Sequence, residues 1–188
     1  MSKIVDDASA AIAGRIKALR SERGWSLADL SARARVSKAM LSKVERGEAS
    51  PTAVVLVRIA TAFGLTLAAL AAPAEAGRPR LVRAGSQPVW RDPKTRYLRR
   101  QLFSSAECPL ELVDVTLPAR ATVSFPASAY EFSWHVVVVL DGKLEVREGR
   151  LRSELATGDR LEFGAPSDVT FRNRGARACR YLVAVVRR

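Results

Sequence analysis

The sequence is poor in the residue types that build metal centres and disulfide frameworks. Its 188 residues include one histidine and two cysteines, Cys108 and Cys179, which form no C-x-x-C pair. One imidazole cannot build a three-histidine centre, and two isolated thiols make neither a zinc knuckle nor a disulfide framework. We therefore expect no metal, no other cofactor and two reduced thiols.

Long apolar segments are also missing. Aliphatic runs such as residues 53–57 and 136–140 fall far short of the roughly 20 residues that a membrane-spanning helix needs. The first seven residues, Met-Ser-Lys-Ile-Val-Asp-Asp, place two acids where a secretion signal would have its apolar stretch. These absences predict a cytoplasmic protein that has no membrane partner.

The chain does have an ordinary globular composition with a surplus of bases. Hydrophobic residues make up 48% and charged residues 27%, which argues against disordered and collagen-like classes. Lysine and arginine number 31 against 19 acidic residues, so the formal net charge is +12. Such a surplus favours a polyanionic partner such as nucleic acid, although it says nothing about the fold.

Residues 8–72 have apolar residues three or four positions apart between clear breakers, which is typical of helices. Capping and breaking residues predict five short helices: one over 8–23, one from Ser26 to about Ala34, one between Ser37 and Gly47, one from Pro51-Thr52 to Gly64, and one between Thr66 and Pro73. We interpret this segment as one domain. Residues 73–79 are small and contain proline, which predicts a linker.

Residues 80–188 change to the alternating, β-branched pattern of strands. The clearest runs are 110–117, 134–140, 143–147 and 181–186. Turn signals such as Asp141-Gly142 and Gly158-Asp159 separate them. About ten short strands in this length predict a closed sandwich or barrel. The predicted fold class is therefore α+β and multidomain, with five helices followed by an all-β domain.

The third predicted helix has two different faces at about 100° per residue. The side that would pack inward contains Ser37, Met40, Leu41 and Val44. The outward side is hydrogen-bonding, small or cationic, with Lys38, Ala39, Ser42, Lys43 and Arg46. Lysine can donate to guanine, serine can bond several base edges, and a small alanine lets the backbone approach. A solvated cationic face on an ordinary helix would show the same pattern, so periodicity leaves both interpretations open.

Three phrases in this segment resemble the Xre-type helix-turn-helix family, which includes the phage repressors. They are Arg-Gly-Trp-Ser-Leu-x-x-Leu at 23–30, Val-Ser-Lys-Ala-Met-Leu-Ser-Lys-Val-Glu-Arg-Gly at 36–47 and Ser-Pro-Thr at 50–52. The resemblance implies that the partner is a double-stranded DNA operator of pseudo-palindromic sequence. It gives the base-reading positions to Lys38, Ala39, Ser42 and Lys43. It gives the remaining DNA contacts to Ser26, Leu27, Ser37 and Arg46.

The same resemblance makes two structural statements. Arg20 and Glu45 occupy the positions of a family ion pair that ties the first helix to the recognition helix. Arg35 stands where the family usually has glycine, in the turn between the second and third helices. A residue other than glycine must accept left-handed geometry there or reshape the turn.

Residues 80–188 resemble a cupin, a double-stranded β-helix or jelly-roll barrel, through residues 135–142, 158–159 and 173. Many cupins hold a metal with three histidines and a glutamate. Those positions fall here on Ser128 and Tyr130 (or Ala129 and Glu131 at a shorter spacing), His135 and Val169. These residues do not form a metal site, so the resemblance implies a metal-free domain.

His135 is the one imidazole that the cupin resemblance points into the barrel. Strand alternation places Val137 beside it, and Tyr130 and Glu131 precede it, so these four residues form the candidate effector pocket. The effector would be a small molecule of unknown identity. A neutral core histidine bonded to a backbone carbonyl explains the same residue without a ligand, and both interpretations stay open.

The two resemblances together imply a sequence-specific transcription regulator, and not an enzyme. Within this class the phrases are most similar to the sulfur-utilisation regulators of enteric bacteria. We expect a homodimer, because one short recognition helix reads only a few base pairs. Two alternatives remain: a metal-dependent cupin oxygenase or epoxidase fused to a helix-turn-helix, and a regulator whose barrel only dimerises.

Overall fold

The computed structural model describes residues 2–71, 80–105 and 108–187. The N-terminal part consists of helices α1 (Ser2–Glu22), α2 (Leu27–Ala34), α3 (Lys38–Glu45), α4 (Ala53–Ala62) and α5 (Leu67–Ala71). Helix α1 begins earlier than the predicted residue 8. The predicted linker at 73–79 lies outside the described residues. No helix in the described ranges combines the length and apolar character needed to cross a membrane.

Capping residues set the helix boundaries, as the sequence predicted. Ser26, Ser37 and Thr52 are the N-caps of α2, α3 and α4, and each hydroxyl accepts a backbone N–H from the first turn of its helix. The five-helix prediction needs one correction, because only four of the described helices are longer than two turns. Helix α5 has five residues, and the sequence reaches Pro73, which cannot continue a helix, soon after it.

Packing of α2 against α3 and α4 fixes the core of the helical domain. Leu30, Leu41 and Leu56 are fully buried at its centre. The Trp25 ring stacks on the Phe63 ring with 5.4 Å between their centroids. Such aromatic pairs add to the stability that burial alone gives, so this contact holds the start of α2 against the end of α4.

The C-terminal part is built from strands. In the described ranges these are β1 (Val89–Arg91), β2 (Leu98–Phe103), β3 (Leu110–Leu117), β4 (Thr122–Phe125), β5 (Ser133–Asp141), β6 (Lys143–Glu148), β7 (Leu151–Ala156), β8 (Arg160–Glu162), β9 (Val169–Arg172) and β10 (Cys179–Arg187). They form a six-stranded sheet in the order β1-β2-β3-β10-β5-β8 and a four-stranded sheet in the order β4-β9-β6-β7. All paired strands run antiparallel.

The prediction of a closed barrel is wrong. Between the described strands, no backbone ladder joins the six-stranded sheet to the four-stranded sheet, so the domain is an open, cupin-like sandwich. The outer strands of the larger sheet, β1 and β8, have only three residues each and include charged side chains. Short, charged edge strands end a sheet, because they offer little backbone for further pairing.

The interior of the sandwich follows strand alternation. On β5 the side chains of Val137 and Val139 are buried. The buried Tyr181 and Val183 lie beside them on the neighbouring strand β10, on the same face of the sheet. Cys179 is also buried, and burial raises the pKa of its thiol to about 11. The thiol of this packed residue therefore stays protonated at neutral pH.

Two hydrogen bonds attach the helical domain to the sandwich. The buried carboxylate of Asp92 accepts the backbone N–H of Ala53 at 2.7 Å, at the N-terminus of α4. The Thr66 hydroxyl, just before α5, donates to Glu111 Oε2 at 2.6 Å. Since these bonds lie at the two ends of α4, they hold α4 and the turn after it against the sandwich.

Candidate nucleic-acid interface and interior cavity

Helix α3 has the two faces that the sequence predicted, with one difference. Leu41 and Val44 are fully buried, whereas Lys38, Ala39 and Lys43 are exposed. Met40 was predicted to lie inward, but 37% of it is exposed. It occupies the edge of the inward face, where the helix already turns toward solvent. Two lysines and a small residue therefore lie side by side on the free surface of α3.

Ser42 and Arg46 extend this surface and contact each other. The Arg46 guanidinium donates to the Ser42 hydroxyl and to both carboxylate oxygens of Glu48, at 2.6 and 2.7 Å. The bonds from Arg46 lower the pKa of Glu48. Both charged side chains are about half exposed, so solvent screens their attraction strongly. Glu48 is an acidic neighbour that the sequence prediction did not consider.

Ser26, Leu27 and Ser37 lie at the starts of the two helices. The Ser26 hydroxyl accepts the Asp29 backbone N–H at 3.2 Å, while the Asp29 carboxylate accepts the Ser26 hydroxyl and backbone N–H. The Ser37 hydroxyl accepts the Met40 backbone N–H at 3.2 Å. Ser26 and Ser37 are exposed and Leu27 is half-buried, so both helix N-termini are accessible to solvent.

The predicted ion pair between Arg20 and Glu45 is confirmed. The two side chains form a bidentate pair, with N–O distances of 2.6 and 2.8 Å, and Arg20 Nη1 also donates to the Trp25 carbonyl at 2.9 Å. Only 17% of the arginine side chain and 7% of the glutamate side chain are exposed. The bond to Glu45 raises the pKa of Arg20. The pair joins α1 to the last turn of α3.

The turn between α2 and α3 contains the predicted departure at Arg35. Its backbone is left-handed, with φ 51° and ψ 44°. Arg35 therefore adopts the conformation for which the family usually uses glycine. The Ser31 hydroxyl donates to the Val36 carbonyl at 2.7 Å across the turn. The turn therefore keeps the shape of a helix-turn-helix at a cost in backbone strain.

A cavity of about 60 Å³ lies between the helical domain and the interior of the sandwich. Its upper wall comes from α4 and the following turn, with Val57, Thr61, Leu65, Thr66 and Leu67. Its lower wall is aromatic and basic, with Tyr97, Arg99, Phe125, Tyr130, His135, Phe171 and Tyr181. A ligand in this space would touch both domains.

His135, the centre of the predicted effector set, lines the cavity. Its Nε2 atom lies 2.8 Å from the Ser133 hydroxyl, and its ring stacks on Phe163 with an angle of 8° between the planes. Burial, and then the nearby charge of Arg99, lowers the pKa of this imidazole to about 4. The imidazole is therefore neutral at pH 7. In the described part of the chain the hydrogen-bond partner of this ring is the Ser133 hydroxyl, whereas the alternative interpretation expected a backbone carbonyl.

The other three residues of the predicted effector set lie in different places. Tyr130 is buried and lines the cavity, with its ring centroid 4.8 Å from that of His135. Glu131 is exposed and is not part of the cavity wall. Val137 is fully buried deeper in the sandwich, also outside the wall. The structure therefore brings together His135 and Tyr130 but not Glu131 or Val137.

Sequence reasoning missed Arg99, the basic residue of the cavity wall. It lies on β2 opposite Val115, whose side chain is buried in the sandwich. Its Nε atom is buried, and no residue in the described part of the chain accepts a hydrogen bond from it. Arg99 and Arg100 are adjacent in the sequence, and strand alternation places only one of them inside. The register against β3 was the signal needed to choose between them.

The residues of the cavity do not fit a cupin metal centre. In the described ranges, no group of three histidine, cysteine, aspartate or glutamate side chains is arranged to hold a metal ion. The chain has one histidine, and its Nε2 is already in contact with Ser133. One imidazole beside an arginine is a poor donor set, because the cation repels a metal ion.

Comparisons with known proteins agree with the helical domain. A helix-turn-helix family model, HTH_3, matches residues 16–70. The HTH-type transcriptional regulator SutR of Escherichia coli K12 is 28% identical over 160 residues, covering 85% of each protein. A crystal structure of an HTH_3 family transcriptional regulator from Vibrio cholerae matches with a TM-score of 0.79 and 25% identity, covering 97% of this chain and 98% of that one.

A cupin_2 domain of an XRE family transcriptional regulator from Enterobacter cloacae also matches, with a TM-score of 0.45 and 18% identity over 49% of this chain and 97% of that one. The match to the Vibrio cholerae regulator covers both the helices and the sandwich. The family model and the Escherichia coli and Vibrio cholerae regulators confirm the resemblance seen in the phrases around α2 and α3. Residues 16–70 match the HTH_3 helix-turn-helix family, and the chain is similar over most of its length to transcriptional regulators that carry such a domain.

Proposed function

We propose that the chain binds a specific, pseudo-palindromic operator in double-stranded DNA as a homodimer, and that a small molecule in the interior cavity modulates this binding. The observation that carries the DNA part is the free surface of α3. Lys38, Ala39 and Lys43 are exposed there, while Leu41 and Val44 anchor the opposite face. A helix presented in this way fits the major groove. Reading chromosomal DNA also implies a cytoplasmic location.

The side chains of this surface have different roles in the proposal. Lys38 and Lys43 donate to guanine edges, and Ala39 approaches a thymine methyl group. Ser42 bonds a base edge after Arg46 releases its hydroxyl. Arg46 turns from Glu48 to a phosphate, an exchange that costs little because the ion pair is exposed. Ser26, Leu27 and Ser37 contact the DNA backbone beside the helix N-termini.

The homodimer is supported by the outer face of the six-stranded sheet. Strands β5 and β10 pair Trp134 with Val186 and Val138 with Leu182. These positions alternate with the buried Val137 and Val183, so apolar residues cover both faces of the two strands. An antiparallel sheet normally has a polar face toward water. Trp134 is 60% exposed in the single chain, which favours burial of this face against a second copy.

The effector part is supported by the place of the cavity. Its upper wall belongs to the domain that carries α3, and its lower wall belongs to the sandwich. A ligand can change DNA binding only if it binds the two states of the protein with different affinity. A cavity shared by both domains meets that condition, because any movement between the domains changes its shape.

The two alternative functions are less well supported. A metal-dependent oxygenase or epoxidase needs a ligand set that the cavity residues do not supply. A domain that only dimerises needs a sandwich interior filled by side chains, whereas this one leaves a cavity beside Arg99 and His135. The wall is also partly polar, which is typical of ligand sites.

Selection from random double-stranded DNA tests the operator proposal. The full chain should enrich one sequence containing two half-sites of opposite orientation, spaced by about one helical turn of 10 base pairs or a multiple of it. Failure to enrich any sequence, or enrichment of one half-site alone, would contradict dimeric operator binding.

Sedimentation velocity with two matched variants tests the dimer. Val138→Lys puts a charge at the centre of the apolar outer face, whereas Thr122→Lys puts the same charge on the exposed face of β4 in the smaller sheet. We expect the parent and Thr122→Lys to sediment as dimers and Val138→Lys as a monomer. A parent that is monomeric at micromolar concentration would refute this part of the proposal.

A further inference from the structure

The wall of the cavity contains Arg99, a partly buried cation that forms no ion pair with a described residue. Arg99 Nε is shielded from solvent and has no hydrogen-bond acceptor in the described part of the chain. In the same part of the chain, no carboxylate oxygen lies within the 4 Å ion-pair distance of this guanidinium. A buried donor without an acceptor is costly, so such a group indicates a missing partner.

The chemistry around Arg99 defines what this partner must be. The wall also holds Tyr97, Tyr130, Tyr181 and neutral His135, which together supply apolar ring surface and polar atoms. Glu111, the carboxylate of this region whose charge Arg99 influences, is bonded by the Thr66 hydroxyl at 2.6 Å. None of the side chains that line the described cavity is acidic. The lining therefore supplies no carboxylate to Arg99.

The size of the cavity restricts the partner further. About 60 Å³ holds a few water molecules or a ligand of few non-hydrogen atoms. The planar guanidinium forms two parallel hydrogen bonds with a carboxylate, a geometry that a halide or an amide cannot reproduce. We propose that the effector is a small carboxylate whose carboxyl group binds Arg99 beneath the turn between α4 and α5. This inference rests on the proposed function, because it gives the chemical class of the effector of that same cavity.

The position of Arg99 also indicates how occupancy reaches the DNA-binding domain. Thr66 lines the cavity and holds the helical domain to the sandwich through Glu111. A carboxylate at Arg99 brings a second negative charge close to Glu111. A ligand larger than the cavity must in addition raise the wall formed by Thr61 and Leu65. Both effects act on the contact between the domains, so the ligand shifts the position of the domain that carries α3.

The test uses acetate as the probe and acetamide as its uncharged counterpart of similar shape. Saturation-transfer NMR on the methyl signal detects weak binding, and the unfolding temperature is measured at constant ionic strength with chloride as the balancing anion. A ligand of four non-hydrogen atoms binds weakly, so acetate is used at about 10 to 100 mM. We expect saturation transfer to acetate but not to acetamide, and a rise of about 2 to 4 °C with acetate alone.

Two variants of adjacent residues make the test specific. Arg99→Met removes the interior guanidinium, and Arg100→Met removes the neighbouring one, which lies opposite Asp114 and outside the cavity wall. Arg99→Met should lose the acetate signal and unfold at the same or a higher temperature than the parent, because a buried donor without an acceptor is gone. Arg100→Met should keep the acetate signal. Arg99→Gln, which retains a polar side chain, replaces Arg99→Met if that variant does not fold.

Operator binding is measured separately in every protein, so the two proposals can fail independently. Acetate that does not bind the parent, or that binds Arg99→Met as well as the parent, overturns the carboxylate inference even if the operator is bound. Acetate that binds through Arg99 in a chain that selects no DNA sequence supports the inference and contradicts the proposed function.

Discussion

Two partly buried arginines in this chain have opposite surroundings. Arg20 lies between α1 and α3, where Glu45 and the Trp25 carbonyl accept three hydrogen bonds from its guanidinium. Arg99 lies under the turn between α4 and α5, where its Nε has no acceptor in the described part of the chain. The guanidinium of Arg20 is paired within the protein. The Nε of Arg99 is not paired with any described residue.

The difference shows how a cationic residue can be assigned a role from its partners. A buried charge is tolerated when it is paired and hydrogen-bonded. Removing one member of such a pair leaves the other charge buried with nothing to compensate for its lost hydration. A buried charge without a partner lowers stability until a ligand supplies one. Natural proteins accept such a loss at functional sites. Arg20 should therefore matter for folding and Arg99 for ligand binding.

The largest expected effect is that of Arg20→Ala. The pair is mostly buried, so losing it should lower the free energy of unfolding by about 3 to 5 kcal/mol. Operator affinity should fall as well, since Glu45 lies in the last turn of α3, the proposed recognition helix. Denaturant unfolding of this variant is compared with Lys17→Ala, on the exposed side of α1, which should change stability by less than about 0.5 kcal/mol. Equal unfolding midpoints for the parent and Arg20→Ala would contradict the stabilising role assigned to the Arg20–Glu45 pair.

The pH dependence of stability sharpens the comparison, because His135 titrates beside Arg99 and no histidine lies near Arg20. Its pKa is about 4 in the folded chain and near 6.5 when unfolded, so the unfolded chain binds an extra proton between these values. Stability is fully present above pH 6.5 and falls on acidification, by up to about 3 kcal/mol near pH 4.

The measurement is the free energy of unfolding at pH 7 and pH 4.5 for the parent and for His135→Gln. The parent should lose more stability than the variant, since glutamine takes up no proton. All carboxylates are common to both proteins, so their contribution cancels in the difference. The same loss of stability in both proteins would mean that folding does not lower the pKa of His135.

A third arginine gives the smallest effect. Arg35 has a strained backbone, so Arg35→Gly should leave stability unchanged or raise it by about 1 kcal/mol. Ala32→Gly, at an exposed position inside α2, provides the control and should cost about 1 kcal/mol. If both variants lose the same stability in thermal unfolding, the left-handed turn carries no strain that glycine relieves.

The helical domain could be predicted closely from the sequence because its signals are local. Ser26, Ser37 and Thr52 mark helix starts through bonds to residues three positions away, and the spacing of Leu41 and Val44 gives the buried face of α3. The strand at 110–117 was predicted with its observed bounds for the same reason. The Arg20–Glu45 pair needed the family resemblance, since no local rule connects residues in different helices.

The cavity could be predicted only in part because it depends on tertiary contacts. His135 followed from one cupin position, but Glu131, two residues before Ser133, lies outside the wall since the chain turns there before β5 begins. Thr66 and Leu65 line the cavity through the docking of one domain on the other, which no sequence period records. Whether the sandwich closes into a barrel likewise depends on edge strands that are only three residues long.

Quantitative operator binding by α3 variants tests the central claim most directly. Lys38→Ala and Lys43→Ala should each weaken binding to the selected operator by about 1 to 3 kcal/mol and relax its sequence preference, with little effect on random DNA. Arg46→Ala should weaken both DNAs alike and reduce the salt slope by about one, while Lys143→Ala on the sandwich should change neither. Equal losses on operator and random DNA for Lys38→Ala and Lys43→Ala would show that α3 does not read the sequence.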